Sequence, residues 1–273
     1  MRVAMHKNKL KLTDRMQVIA DLVNDGEIVA DIGTDHGYIP LWLLINGRCS
    51  DVILADVNQG PLDRAAANAA VYLEHENAAK LDMRLGSGIE VLENGEADTV
   101  IIAGMGGILI RDILSHDIAK TRSLKKLILQ PRNNSDELRR WICSVLRDFT
   151  IVNERVVKEG KKYSEILCAV RNERVTEADA GRVEKATALK DLLGISEDIS
   201  MEIPCMYLAN ADDTVRDYLE KRVQVEEGII NSIKESGRNE ASERQLALTE
   251  KRLKDIKKIA EACSRYMSRR CYP

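Results

Sequence analysis

The chain has 273 residues, of which 44% are apolar and 4% aromatic, and its 41 basic and 44 acidic residues give a formal net charge of −3. This composition excludes a disordered or fibrous protein, and the length suits one large domain or two modest ones. The nearly neutral total argues against binding through a globally basic surface, but it permits a segregated basic face.

The hydropathy pattern and the start of the chain indicate a cytoplasmic protein with no membrane partner. No apolar run approaches the ~18 residues that a membrane-spanning helix needs. The first basic residues lead into Asn8, Lys9 and Lys11, so the apolar segment of a secretory signal does not follow them.

The six cysteines are predicted to be reduced residues that pack in the interior. They form no C-x-x-C pair and lie mostly within apolar segments. This spacing favours neither a metal site nor a disulfide framework, so we expect no bound metal.

Up to about residue 172, short apolar runs alternate with helical patterns. The predicted strands are residues 28–32, 52–56, 99–103, 127–130, 150–152 and 166–170, with a further strand before Gly86. Runs that are apolar throughout are typical of strands buried on both faces of a parallel sheet.

Helices are predicted between these strands. They cover residues 14–23, 39–45, 61–76, 108–114 and 135–146, the last with Ser135 as its N-cap. The alternation predicts a doubly wound α/β sheet with helices on both faces, whose ligands bind beyond the carboxyl ends of the strands.

After Asn172 the strand pattern stops and helical spacing takes over. Val215, Leu219, Val223, Ile230 and Ile233 recur on one helical face, and a second apolar stripe follows a turn at residues 236–239. We expect a domain at residues 1–172 and a helical domain at 173–273, with an antiparallel, coiled-coil-like hairpin at about 211–268.

The loop at residues 31–38, DIGTDHGY, leaves the first strand and enters a helix, as nucleotide-binding loops do. A dinucleotide loop requires glycine where Asp35 stands, because a carboxylate there repels a pyrophosphate. S-adenosylmethionine has no phosphate and carries a sulfonium and an ammonium group, so Asp35 favours this methyl donor over a nicotinamide dinucleotide.

Four further strand ends carry candidate ligand-binding residues. Asp56 suits a ribose diol or, alternatively, an N-cap in the turn that follows it. Residues 86–88 suit the edge of an adenine, and the glycine-rich residues 103–107 suit either a ligand or a tight turn. Arg132, after the fifth strand, suits a phosphate or open solvent.

Six motifs in this order are similar to those of the bacterial tRNA adenine-N1 methyltransferases that modify position 22 in the D-arm. They are residues 12–15 (LTDR), 31–38 (DIGTDHGY), 55–61 (ADVNQGP), 103–107 (AGMGG), 129–131 (LQP) and 159–165 (EGKKYSE). The resemblance spans residues 8–170, and the C-terminal hairpin is also similar. It implies a Rossmann-like class I methyltransferase with S-adenosylmethionine as donor and tRNA as acceptor.

The resemblance also implies the roles of particular residues. The donor would be held by Asp31, Gly33, Thr34, Asp35, His36, Gly37, Asp56, Val57, Ser87, Gly88, Gly104 and Met105. The target base or the tRNA would be contacted by Arg15, Tyr38, Gly106, Gly107, Arg132, Lys161 and Tyr163. Ser87 departs from the aspartate usual in the family, which weakens the expected polar contact to the adenine. Residues 173–205 match poorly and receive no function.

Asp35 is the candidate catalytic residue. N1 of adenine attacks with an in-plane lone pair and becomes cationic, so a nearby carboxylate would stabilise the product. The alternative is that Asp35 only orders its loop. His36 is interpreted as a binding residue, and Tyr38 and Tyr163 either stack on the flipped base or pack at an edge.

Two basic segments lie at the ends of the near-neutral chain. The first contains Arg2, Lys7, Lys9, Lys11 and Arg15, and the second contains Lys251, Arg252, Lys254, Lys257, Lys258, Arg265, Arg269 and Arg270. They suit the backbone of a tRNA or, alternatively, ordinary solvated helix faces.

The sequence is also compatible with two other functions. The chain could be a methyltransferase of a small molecule or a protein, with the hairpin as a dimerisation element, or a non-catalytic scaffold for that hairpin. A dehydrogenase is least favoured because of Asp35. The sequence leaves the oligomeric state undetermined.

Overall fold

A computed structural model describes residues 10–235 and 239–270, without the side chains of Arg269 and Arg270. The chain forms two compact units. One consists of the residues up to 151 together with 157–175, and the other consists of 152–156 together with the residues from 176 onward. The functional division into residues 1–172 and 173–273 stays a prediction.

A seven-stranded sheet lies in the first unit, except for residues 152–156 of one strand, which are grouped with the second unit. Its strands are β1 (Glu27–Ile32), β2 (Cys49–Asp56), β3 (Leu81–Leu85), β4 (Thr99–Met105), β5 (Lys126–Pro131), β6 (Phe149–Glu159) and β7 (Lys162–Arg171). Their order is β3-β2-β1-β4-β5-β7-β6. The chain therefore builds the sheet outward in one direction from β1 to β3 and in the other direction from β4 onward. A doubly wound sheet binds its ligands at the point where the strand order changes in this way, here between β1 and β4.

The sheet is mixed, whereas the apolar runs predicted a parallel one. Strands β1 to β5 pair in parallel, but β7 runs antiparallel to β5. Only Gly160 and Lys161 separate β6 from β7. A parallel crossover needs a dozen or more residues, so this short turn reverses the chain. A continuous apolar run reports that a strand is buried, but it does not report its direction.

From residue 10 onward, the first unit has one α-helix before β1 and six between the strands: α1 (Asp14–Asp21), α2 (Tyr38–Ile45), α3 (Gln59–Tyr72), α4 (His75–Ala78), α5 (Gly107–His116), α6 (Ile118–Ser123) and α7 (Ser135–Val145). The predicted helix at 61–76 is broken because Leu73 is extended, with ψ 142°. The predicted N-cap of α7 was wrong: Asn134 occupies that position in the left-handed region, with φ 52°. Helix α6 was not predicted, and Asp117 caps it by accepting a 2.9 Å hydrogen bond from the backbone of Lys120.

The core of the first unit explains why the strands sit where they do. Ile101, Ile102 and Leu129 are fully buried, as the apolar runs predicted. At about 25 cal/mol per Å² of apolar surface removed from water, such side chains fix β4 and β5 in the middle of the sheet. The polar residues that follow them are therefore held at one edge.

The second unit is helical. Its helices are α8 (Glu177–Leu193), α9 (Glu197–Glu202), α10 (Met206–Ala209), α11 (Asp213–Glu235) and α12 (Glu240–Arg270). Helices α11 and α12 pack along each other, which confirms the predicted helical hairpin. Most of the predicted turn, residues 236–238, lies outside the described residues. None of the helices in the described ranges is long and apolar enough to span a membrane.

Among the described cysteines, Cys49, Cys168, Cys205 and Cys263 are buried, as predicted, and none of the described cysteines forms a disulfide bond. Cys143 is exposed, so the prediction of interior packing was wrong for this residue. Cys271 lies outside the described residues.

Candidate active site

A cavity of about 170 Å³ lies where β1 and β4 end, at the point where the strand order changes. The predicted site residues that line it are Arg15, Asp31, Gly33, Thr34, Asp35, His36, Gly37, Tyr38, Gly104 and Arg132. Other predicted residues do not line it: Asp56, Val57, Ser87, Gly88, Met105, Gly106, Gly107, Lys161 and Tyr163. Pockets that enclose a whole small ligand measure about 300–1,000 Å³, so this cavity suits one end of a larger molecule.

Asp31 is the buried acid of the cavity. Only 8% of the residue is exposed, and burial raises the pKa of its carboxyl to about 6, with Asp56 adding to the rise and Thr34 opposing it. Within the described ranges, no basic side chain forms an ion pair with Asp31. A ligand cation placed here would supply the missing positive charge.

Gly33 and Gly37 allow the loop after β1 to pack closely against its neighbours. Gly33 has φ +76°, and a Cβ added to it would lie 1.8 Å from Cε of Met105. Gly37 has φ +68°, and its Cβ would lie 3.1 Å from Cβ of Ala65 in α3. Both positions therefore favour glycine for their positive φ, and at Gly37 the buried Ala65 also leaves little space for a methyl group.

Asp35 lies at the mouth of the cavity, with 68% of its side chain exposed. The Arg64 guanidinium donates a hydrogen bond to its Oδ1, and Nε2 of His36 lies 3.4 Å from its Oδ2. The Arg64 hydrogen bond holds the pKa of Asp35 below its ordinary value. The carboxylate is therefore ionised at neutral pH, as stabilisation of a developing positive charge requires.

Tyr38 stacks on the neighbouring histidine. The rings of His36 and Tyr38 lie 5.2 Å apart between centroids, at an interplanar angle of 10°. Only one face of the Tyr38 ring is therefore free of His36. The proposed stacking on a target base would use that face.

A buried glutamine, Gln130, contacts the glycine-rich residues 103–107 at the end of β4, which we call the glycine turn. Oε1 of Gln130 accepts a 3.1 Å hydrogen bond from the Gly104 backbone and a 3.0 Å bond from Arg15. Nε of Arg15 also donates to Glu159 across 3.1 Å. Only 4% of Gln130 is exposed, so this amide lies inside the domain. The sequence feature that could have predicted this burial is the position of Gln130 at the end of an otherwise apolar run.

Comparison with known proteins decides the family. Residues 12–167 match the family model described as a methyltransferase domain. The tRNA (adenine(22)-N(1))-methyltransferase of Bacillus subtilis is 35% identical over 167 residues, which are 61% of this chain and 68% of that protein. This chain belongs to that methyltransferase family.

Solved structures agree with the assignment. The crystal structure of the B. subtilis M1A22 tRNA methyltransferase TrmK superposes with a TM-score of 0.74 at 27% identity, covering 92% of this chain and 99% of that one. M. capricolum TrmK, solved in complex with S-adenosyl-homocysteine, gives a TM-score of 0.69 at 22% identity and covers 92% and 99% of the two chains. This second likeness shows the shared fold. The predicted Rossmann-like methyltransferase fold is thereby confirmed.

In this methyltransferase domain, the end of β2 adjoins the loop that lines the cavity, because the Gly33 and Thr34 backbones donate hydrogen bonds to the Ala55 carbonyl. Oδ1 of Asp56 accepts a 2.8 Å hydrogen bond from the Asn58 backbone, and Asn58 is the N-cap of α3. The alternative of Asp56 as an N-cap was therefore wrong. The Gly86 backbone donates to the Asp56 carbonyl across 3.0 Å, which places the exposed Ser87 and the half-buried Gly88 close to Asp56 in the chain fold.

Of the predicted residues, Lys161 lies in the β6–β7 turn and Tyr163 is the second residue of β7. Lys161 is exposed, and Nζ of Lys158 lies 5.5 Å from the centre of the Tyr163 ring. Glu159, at the end of β6, ties this turn to Arg15 and so to the cavity. Glu159 opens the 159–165 motif but received no role from the sequence, and Arg64 was not singled out, because single charged residues on exposed elements carry no distinguishing pattern.

Proposed function

We propose that this chain transfers a methyl group from S-adenosyl-L-methionine to N1 of adenine 22 in the D-arm of tRNA. Its B. subtilis relative carries that activity in its name, and the site supplies a matching set of groups. A cytoplasmic location is part of the same proposal.

The buried Asp31 carboxylate is the observation that carries the proposal. It lies at the end of β1 and has no cationic partner among the described side chains. The donor carries a cationic ammonium group at its amino-acid end, and the cavity has the size for that end alone. The charge and the volume of the cavity therefore fit this donor.

The remaining donor contacts follow from the positions of the loops. The backbone of residues 33–37 approaches the amino-acid end closely because of its glycines, with Thr34, Asp35 and His36 beside it. Asp56 and Val57 would face the ribose, and Ser87 and Gly88 would border the adenine. Gly104 and Met105 would close the inner side, where Met105 already contacts the space above Gly33.

The acceptor side of the cavity is proposed to lie along the glycine turn. Gly106 and Gly107 would border the target adenine, and Tyr38 would stack on it. Arg132 is exposed and forms no ion pair within the described ranges, so its guanidinium is available to a phosphate. Arg15, Lys161 and Tyr163 extend this surface.

The chemistry requires placement more than proton transfer. The donor supplies an electrophilic methyl group on its sulfonium, and N1 of adenine has a lone pair in the ring plane. In-line placement of the two atoms lowers the barrier without a general base. Asp35 would stabilise the positive charge that N1 methylation leaves on the base, acting from the cavity mouth.

The basic segments support tRNA binding less broadly than their sequence suggested. Four basic residues of the second segment form ion pairs with acidic side chains: Arg252, Lys257, Lys258 and Arg265. Lys251 and Lys254 are exposed and form no ion pair with a described residue. Arg2, Lys7 and Lys9, and the side chains of Arg269 and Arg270, lie outside the described residues. In the second unit, Lys251 and Lys254 are therefore the proposed phosphate contacts.

A labelling experiment tests the proposed acceptor. The full chain is incubated with donor carrying a labelled methyl group and with an unmodified tRNA transcript. A matched transcript with guanine at position 22 serves as the control. We expect label in the first transcript and background in the second. Equal labelling of both transcripts, or label in neither, would overturn the assignment.

A further inference from the structure

One face of α3 contacts the loop that carries Asp35. The Arg64 guanidinium binds the Asp35 carboxylate, and Nδ2 of Asn68 donates a 2.9 Å hydrogen bond to the His36 carbonyl. Ala65, between them, is fully buried and lies against Gly37. Residues 64, 65 and 68 of a helix lie close together on its surface, so one short stretch of α3 holds three consecutive loop residues.

These contacts have different effects on the loop. Asn68 and Ala65 hold its backbone, through the His36 carbonyl and the Gly37 surface. Neither of them fixes the Asp35 side chain, which is 68% exposed. An exposed aspartate exchanges between staggered rotamers unless a partner selects one of them. Two partners make this selection: Arg64 donates to Oδ1, and Nε2 of His36 lies 3.4 Å from Oδ2. Arg64 is the partner that is anchored outside the loop, on α3.

We propose that Arg64 is a positioning residue for methyl transfer, which orients the Asp35 carboxylate at the mouth of the cavity. This inference rests on the proposed function, in which Asp35 stabilises the cationic product. Arg64 lies on α3 and does not line the cavity. In this proposal it acts on the reaction through Asp35 and not by binding the donor or the tRNA.

The charge of Arg64 and its geometry have opposite effects on the reaction. Its positive charge weakens the field of Asp35 at the target base, whereas its planar guanidinium fixes where the carboxylate lies. The pair is exposed, at 47% and 68% of the two side chains, so solvent screens the charge effect. The positional effect dominates, because displacement of a catalytic group by about 1 Å costs up to about a hundredfold in rate.

A double-mutant cycle tests the proposal. kcat and KM for tRNA methylation, and donor affinity by calorimetry, are measured for Arg64→Met, Asp35→Asn and the double variant. We expect Arg64→Met to lower kcat by roughly tenfold, with donor affinity changed less than about twofold. In the Asp35→Asn background the same change should have no further effect. Arg64→Lys, which keeps the charge and one donor group, should recover part of kcat.

A matched control separates positioning from a general effect on the fold. Arg48 forms a comparable ion pair with the exposed Asp25 in the same unit. Arg48→Met should leave kcat unchanged. If it lowers kcat as much as Arg64→Met does, the proposal is overturned.

The cycle distinguishes failure of this inference from failure of the proposed function. If Asp35→Asn lowers kcat but Arg64→Met does not, or if the two losses simply add, the role of Arg64 is overturned and that of Asp35 stands. If Asp35→Asn leaves kcat unchanged, the catalytic role of Asp35 fails, and the role of Arg64 fails with it.

Discussion

The buried side chain of Gln130 accepts a 3.1 Å hydrogen bond from the backbone of Gly104, and the same oxygen accepts a 3.0 Å bond from Arg15. One oxygen atom therefore joins β5 to the glycine turn and to α1. Since Gly104 and Arg15 both line the cavity, the shape of the site depends on this atom.

Loss of the Gln130 oxygen should damage both stability and activity. Gln130→Leu leaves the Gly104 N–H and one Arg15 donor without a partner, so we expect a loss of about 1–3 kcal/mol in the free energy of unfolding. kcat should fall as well, because the turn is released. Gln130→Glu retains an acceptor for both donors and should keep more of each property. Urea unfolding and methylation rates would measure this, and a Leu variant as stable and active as the parent would contradict it.

Removal of the Asp31 charge should stabilise the free protein and abolish donor binding. The folded-state pKa of about 6 exceeds the ordinary 3.8, so the ionised carboxylate costs folding free energy above pH 6. That cost disappears as the pH falls from 6 towards 3.8. Asp31→Asn should therefore raise the free energy of unfolding at pH 7.5 by up to about 3 kcal/mol. Thermal unfolding at pH 7.5 and at pH 4 would measure the effect. A variant less stable than the parent at pH 7.5 would contradict this interpretation.

The same carboxyl group should make donor binding depend on pH. Below about pH 6, Asp31 in the free protein is protonated and no longer attracts a cation. We expect the affinity for S-adenosyl-L-methionine to fall as the pH decreases from 7.5 to 5, when it is followed by calorimetry. A flat profile over this range would argue against a contact between Asp31 and the donor's ammonium group.

Gly107 should not tolerate a methyl group. A Cβ there would lie 2.4 Å from the Asn134 carbonyl oxygen and 2.8 Å from that of Asn133, and both are backbone atoms that cannot move alone. Gly107→Ala should cost about 1–3 kcal/mol and lower kcat, since α5 would shift away from the turn. Gly228 in α11 has open space around it, so Gly228→Ala is the control and should stabilise the chain by about 0.5–1 kcal/mol. Equal thermal stability of the two variants would contradict this account.

The hairpin of the second unit should depend on Arg252. This residue binds Glu226, which is 3% exposed, across 3.0 Å, and it also binds Glu202. Arg252→Met leaves two carboxylates without that partner. Because the Arg252 side chain is 35% exposed, we expect a cost of about 2 kcal/mol, less than for a fully buried pair. Lys257→Met removes an exposed pair with Glu227 and should cost less than about 1 kcal/mol in urea unfolding. A larger loss for Lys257→Met would contradict this ranking.

The sequence predicted most of the sheet and the location of the cavity, for identifiable physical reasons. β-branched runs mark buried strands, and the glycines at 33 and 37 mark a backbone that must turn and pack closely. The direction of β7 was not predictable from its apolar residues. It follows from the two-residue turn after β6, and the pairing with β5 is a long-range property of the fold.

The contacts that hold the site residues in place could not be predicted from the sequence, for a different reason. Arg64 lies 29 positions after Asp35, on a helix face that reads as ordinary solvated surface. Gln130 and Arg15 are 115 positions apart, and their contact depends on how α1 lies against β5. Such pairings arise only once the whole sheet is assembled, so local patterns cannot report them.

Methylation of N1 of adenine 22 in tRNA can be observed directly. A tRNA transcript is incubated with the full chain and donor, and its nucleosides are identified by mass spectrometry and located by fragment mapping. We expect 1-methyladenosine at position 22, present with donor and absent without it. Methylation at another position or atom, or no 1-methyladenosine in a tRNA with adenine at position 22, would contradict this expectation.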